Sequence, residues 1–315
     1  MKPLPRLPFP GAVDGDGHVL EPPDLWQRYL DPGFRDRAPG IRVDDAGLEY
    51  LEIDGQVSKL VRGGMPAGLG MMDRVGGHVY ERDAKTGLQY VDQAPLGAQD
   101  PGERIARLDM ENLSRAFLYP TLTLFWISEC DDEDYTQACL RAYNRWIVDF
   151  CSDSGGRLLP MAQLSLGDPE AAERELLRAA DDGVAGVFVP PFQWSRRPLG
   201  DPAHDRVFAA VQDHDLTFGI HPSLEPKWTA PGRYGDYTSG KYGFFLNVTS
   251  ADAVRHAFTS LFQYAVFEKF PAVRFVILES GAGWIGYWLD RMDTVYASPQ
   301  GIALRPQLPE KPSVY

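Results

Sequence analysis

The sequence predicts an α/β fold built on a parallel sheet, and three observations carry that prediction. Short apolar runs recur along the chain, as in "RAFLYPTL" (115–122), "AGVFVPP" (185–191) and "VRFVILES" (273–280). Stretches of helical period separate them. The runs also lack the apolar/polar alternation of a strand with one face in water. Strands buried on both faces belong to parallel sheets crossed by helices.

The first strand is "GAVDGDGHV", ending in a cluster of Asp14, Asp16, His18 and, just beyond, Glu21. Residues 27–100 break the βα rhythm and read as an insertion after that strand. Within it, "IRVDDAGLEYLEIDGQVSKLV" predicts a hairpin or small sheet, and "RGGMPAGLGMMDRVGG" a glycine- and methionine-rich loop. Over 63–77 that loop is either a lid or plain surface, and His78 beside it is a candidate substrate contact. From about residue 101 the chain alternates short apolar runs with amphipathic helices. A strand at 115–122 precedes a helix at 133–152, where Cys139, Tyr143, Trp146, Ile147 and Phe150 keep helical spacing. A strand at 157–166 precedes "GDPEAAERELLRAADDG", a helix with Asp168 as cap, Pro169 in its first turn and Gly183 just past its end. Strands at 185–191, 216–223 and 273–280 follow, with helices at "DPAHDRVFAAVQDHD" and about 251–270 between them. That makes six βα-type strands.

Composition excludes several classes. The 315 residues are 44% hydrophobic and 24% charged, values of an ordinary globular chain. A net charge of -13 opposes nucleic acid and anionic membranes as partners. Three irregularly spaced cysteines, Cys130, Cys139 and Cys151, give no disulfide framework and point to reduced thiols in a cytoplasmic protein. The opening "MKPLPRLPFPG" has no apolar run for a signal peptide, and no window reaches the ~18–20 apolar residues of a membrane span. "GVAGVFVP" is no phosphate loop, because it lacks a GxGxxG or GK[ST] pattern, and the chain has no GxSxG elbow.

Sites on parallel α/β sheets lie at the carboxyl ends of the strands. There the chain offers Asp16-Gly17-His18, Pro190 to Trp194, His221-Pro222 and Glu279-Ser280-Gly281. Asp16 and His18, two apart on a strand, share a face. With His221 they make a donor set suited to Zn²⁺, Mn²⁺ or Fe²⁺. A capped turn at Asp16 and a hydrogen-bonded core histidine at His221 are the simpler readings. Glu279 ends an apolar strand, so it must be paired, metal-bound or shifted in pKa. An ion pair with Arg291 is its structural alternative. Asp16 and Glu279 could also form a glycosidase-like carboxylate pair without metal. Phe192, Trp194 and Trp284 are candidates for the walls of a substrate pocket.

The stretches "DGDGHVLEPPDLW", "RAFLYPTL", "RAYNRWIVDFCSDSGGRLLPMAQLSLGDPEAAERELLRA", "GVAGVFVPP", "LTFGIHPS" and "FPAVRFVILESGAGWIGYWLDRMD" stand in one order. In that order they resemble the amidohydrolase-related family, which includes aminocarboxymuconate-semialdehyde decarboxylase and similar metal-dependent hydrolases and decarboxylases. The resemblance covers nearly the whole chain outside the insertion. It implies a metal-dependent, TIM-like (β/α)₈ barrel over 1–315 that binds one divalent ion, zinc foremost, and a small-molecule substrate. In such enzymes the first strand carries His-x-His or an acidic variant, matched here by Asp16-Gly17-His18, and a later His-Pro supplies a ligand, matched by His221-Pro222. Glu279 stands where the decarboxylases have a catalytic histidine, and implies a proton-transfer role. The family's last ligand, an aspartate on the eighth strand, has no match before "LPEKPSVY", so strands seven and eight are expected to be lacking from this chain. Two functions remain open. One is a hydrolase or non-oxidative decarboxylase of a small carbonyl or aromatic carboxylic acid. The other is a degenerate barrel that binds a ligand or partner. Aromatic residues over 117–150 add a homo-oligomer as an option.

Overall fold

The computed structural model describes residues 7–8, 10–70, 87–226, 228–229 and 243–315. His78 and the 71–77 part of the expected lid lie outside them. The chain packs as two compact units: Met1–Gln163 with Asp181–Ala185, and Leu164–Ala180 with Gly186–Tyr315.

In the first unit, β1 (Ala12–His18) is followed by α1 (Leu25–Tyr29). Next comes an antiparallel sheet of β2 (Gly40–Val43), β3 (Glu49–Ile53) and β4 (Gln56–Val57). This is the small sheet expected in the insertion. Beyond it, Met65–Gly70 forms a short helix, α2, with Pro66 to Gly70 buried. The sequence suggested a loop there, because glycine and proline disfavour helix. Burial of Ala67 and Leu69 overrides that propensity. α3 (Pro101–Glu111) starts on Asp100, whose carboxylate accepts from the Glu103 amide, and ends on Asn112 in the left-handed region. β5 (Leu113–Tyr119) runs parallel to both β1 and β6 (Leu158–Gln163).

α4 (Glu133–Ser152) supplies much of this unit's core, burying Tyr135, Cys139, Tyr143, Trp146, Ile147 and Phe150. It is pinned to β6 by Asn144. The Asn144 amide donates to the Gln163 carbonyl at 3.1 Å, and its oxygen accepts from the Gln163 amide at 2.8 Å. Trp26 and Trp126 meet edge to face at 6.1 Å.

In the second unit, α5 (Pro169–Asp181) opens as predicted, with Asp168 Oδ1 accepting from the Glu170 and Ala171 amides. β7 (Gly186–Val189), α6 (Asp205–Asp213) and β8 (Thr217–Ile220) follow, and β8 pairs in parallel with both β7 and β9 (Arg274–Ile277). Phe208, Phe218 and Phe275 form an aromatic cluster with centroids 5.2–5.8 Å apart. α7 spans Gly243–Gln263, starting before the expected 251 and ending before 270. It stops because Ala265 takes φ 53, a left-handed break before a separate turn at Val266–Lys269. α8 (Ile285–Ala297) follows β9. The two units together hold the six parallel strands read from the sequence. Among the described residues, no helix is long and apolar enough to cross a membrane.

Candidate metal centre

β1 is irregular where it matters. Its register against β5 shifts between Asp14 and Gly17. The Asp16 amide donates to Asp14 Oδ1 at 3.1 Å, so the strand bulges there. Gly17 has no room for a side chain: a Cβ would sit 2.7 Å from Asp14 Oδ2 and 3.1 Å from the Phe117 carbonyl. The bulge leaves Asp16 and His18 side by side, with Asp16 Oδ1 3.8 Å from His18 Nε2 and both side chains about one-third exposed.

His18 is oriented from behind. Its Nδ1 lies 2.7 Å from the Pro120 carbonyl. A carbonyl only accepts, so Nδ1 carries a proton, and in the neutral ring the lone pair is then on Nε2. His221, directly after β8, repeats this arrangement in the second unit. Its Nδ1 lies 2.6 Å from the Pro222 carbonyl, and its Nε2 is 3.7 Å from Glu279 Oε2.

In each unit the Nε2 of an imidazole therefore faces a carboxylate oxygen. Two acceptors so placed attract each other only through a proton or a cation between them. Atoms bound to one zinc, each about 2.0–2.2 Å from it, can be no more than about 4.4 Å apart. Both spacings, 3.8 and 3.7 Å, satisfy that bound. Imidazole held through its other nitrogen by a carbonyl is also the usual setting of a metal-ligating histidine. The donor chemistry fits a divalent ion.

Glu279 differs from expectation in one respect. Its side chain is 66% exposed, so burial does not force it to pair. β9 ends at Ile277, and Glu279 takes φ 39, a turn that swings it out of the apolar run. Its carboxylate meets His221 rather than Arg291.

Of the proposed pocket residues, Phe192 and Trp194 meet in a tilted pair at 5.1 Å after β7. Trp228, which the sequence did not single out, meets both rings edge to face at 6.0 and 5.9 Å. Arg196 lies over the Trp228 ring at 3.8 Å. A cavity of about 520 Å³ is lined there by Phe192, Arg196, Glu225, Trp228, Phe245 and His256. Trp284 sits elsewhere: its indole donates to the Ser280 carbonyl at 2.9 Å, and its ring meets Phe258 at 5.9 Å. His204 is an interior histidine, bonded to the Leu199 carbonyl and Ser195, and burial pushes its pKa down.

Comparison with known proteins follows the same lines. The amidohydrolase family profile matches residues 62–315. An amidohydrolase from Mycobacterium avium subsp. paratuberculosis K-10 superposes with a TM-score of 0.75 at 22% identity, over 97% of this chain and 81% of its own. A 2,6-dihydroxybenzoate decarboxylase from Rhizobium gives 0.56 at 16% identity, over 96% and 75%. A 5-carboxyvanillate decarboxylase from Novosphingobium aromaticivorans DSM 12444, solved with bound manganese, gives 0.57 at 19%, over 95% and 72%. No protein of curated function matches the chain. The fold is the TIM-like α/β barrel class of these proteins, with a small β insertion after the first strand. The chain belongs to the amidohydrolase family, as an enzyme of its hydrolase and carboxy-lyase kind.

Proposed function

We propose that Asp16, His18 and His221 hold one divalent ion, zinc foremost with manganese or iron as alternatives. The reaction would be hydrolysis or non-oxidative decarboxylation of a small carbonyl or aromatic carboxylic acid. The observation that carries this reading is the shared setting of the two histidines. Each has its Nδ1 proton on a prolyl carbonyl and its Nε2 turned to a carboxylate.

Such an ion supplies Lewis acidity, polarising a substrate oxygen or acidifying a water. The chain's own residues do the rest. Glu279 holds or delivers the proton, from a carboxylate that solvent reaches. Phe192, Trp194 and Trp228 form apolar walls that exclude water and orient a flat substrate, while Trp284, packed on Phe258, stands apart from them. Residues 1–315 act as one catalytic domain. Its partner is a small molecule rather than nucleic acid, which the charge of -13 would repel. Three buried thiols, none in a disulfide, suit a reducing cytoplasm. A homo-oligomer is the assembly to check by light scattering.

The test is metal analysis of the purified protein, alongside Asp16→Ala, His18→Ala and His221→Ala. One ion per wild-type chain is expected, with loss from each variant. Full occupancy in all three variants would remove the site. Carbon dioxide release from 2,6-dihydroxybenzoate and 5-carboxyvanillate, set against ester and amide hydrolysis, then separates lyase from hydrolase. Metal binding without turnover across such panels would favour a degenerate, ligand-binding barrel.

A further inference from the structure

The segment after β1 is fastened to the turn after β5. The Val19 amide donates to the Tyr119 carbonyl at 2.9 Å, and the Thr121 hydroxyl to the Val19 carbonyl at 2.7 Å. Between them sits Glu21, a carboxylate only 1% exposed. Its Oε2 accepts from the Thr121 and Leu122 amides at 3.0 and 2.9 Å. Its Oε1 accepts from the Thr123 amide and hydroxyl at 2.8 and 2.7 Å. All four partners are donors, the setting of an ionised carboxylate.

One of those donors has a second significance. The Thr121 N–H and the Pro120 C=O belong to the same peptide group. Its N–H is held by Glu21 and its C=O receives the His18 Nδ1 proton. Hydrogen bonds in series polarise one another, and a peptide group is rigid and planar. Negative charge at its N–H end makes its oxygen a stronger acceptor and fixes where that oxygen points.

We propose that Glu21 is a positioning residue for His18, acting through the Pro120–Thr121 peptide. It would lock the Nδ1–H tautomer and raise the donor strength of Nε2. The chain would thereby replace the direct carboxylate–histidine contact of many metal sites with a carboxylate–peptide–histidine relay. The proposal rests on the reading of His18 as a metal ligand.

The experiment measures Co²⁺ affinity by chelator competition in the full chain, and the imidazole tautomer by ¹⁵N shifts of the metal-free protein. Outer-shell partners typically contribute about 10–100-fold in metal affinity. Glu21→Gln is expected to lose affinity in that range and to mix the His18 tautomers. Thr123→Val removes one Glu21 bond but leaves the relay, so it should stay within about twofold of wild type by the same standard. A folded Glu21→Gln with wild-type affinity and an unmixed tautomer overturns the proposal. So does a Thr123→Val that loses as much as Glu21→Gln, because the effect is then general loosening. Should Glu21→Gln fail to fold, Glu21→Asp is read instead. It keeps the charge but shortens its reach to the Thr121 amide, so wild-type affinity and tautomer there overturn the relay. His18→Ala with undiminished affinity defeats the ligand reading alone; the tautomer, measured without metal, still decides the relay.

Discussion

His18 and His221 present the same atom in the same way, yet they are held by different means. His18 is one-third exposed and takes its anchor from Pro120, far along the chain. His221 is 1% exposed and takes its anchor from the next residue, Pro222. Its ring also packs edge-on against Phe188 at 6.2 Å. One orientation is a product of tertiary packing; the other is written into a dipeptide and then buried. The first should yield to changes at a distance, the second chiefly to changes at the residue itself.

The largest expected effect concerns the carboxylate that faces His221. Glu279→Gln keeps the size and removes the proton-transfer group, so kcat should fall roughly 10²–10⁴-fold. Metal content should stay at the wild-type level, because the variant leaves both histidines in place. Equal loss of metal and rate would instead make Glu279 a ligand, and the two half-sites would then be more alike than proposed.

Next comes the cost of removing each ring, measured by urea unfolding of metal-free protein. His221→Ala opens a cavity in a packed interior and should cost roughly 2–4 kcal/mol. His18→Ala removes a partly solvated ring and should cost about 1 kcal/mol or less. Equal costs would erase the distinction between the anchors. Asn144 sharpens the comparison from the packing side. Asn144→Ala leaves a buried Gln163 amide and carbonyl without their side-chain partner, at about 1–3 kcal/mol.

The smallest effect is one of pH. Glu49 is buried, and burial holds its carboxyl above the ordinary range despite a 2.8 Å bond from the Tyr90 amide. Its folded pKa exceeds its unfolded one, so the native state binds the proton more tightly. Stability therefore falls as pH rises through the window between the two values. Glu49→Gln can still accept from Tyr90 and carries no charge. Its unfolding midpoint should gain on wild type as pH rises above the ordinary glutamate value of about 4.3. A constant difference across that range would show that Glu49 ionises without penalty.

Much of this architecture was legible in the sequence, for a simple reason. Strands of a parallel sheet are buried on both faces, so "AGVFVPP" and "VRFVILES" betray themselves by uninterrupted apolarity. The helix after Asp168 was equally plain, since cap, proline and glycine each act locally. Asp16 and His18 could be paired from strand period alone. What escaped was non-local. Pro120 and Pro222 contribute backbone carbonyls, and a backbone acceptor leaves no mark in a residue string. Trp228 lies in a stretch with no period to interpret. The turn at Glu279 depends on a left-handed φ that glutamate seldom adopts, and nothing in "FVILESG" announces it beyond the glycine two residues on. The Met65–Gly70 helix forms against its own propensity, because burial outweighs it.

The three cysteines carry a last consequence. All of them, Cys130, Cys139 and Cys151, lie in the first unit, two on α4 and one just before it, and the second unit has none. Burial pushes the thiols of Cys139 and Cys151 up to about 12 and raises that of Cys130 further, so none is a nucleophile while the core is closed. Alkylation then becomes a clock. A thiol reagent can react only when α4 lifts, which makes its uptake a record of how often one half of the molecule opens, silent about the other.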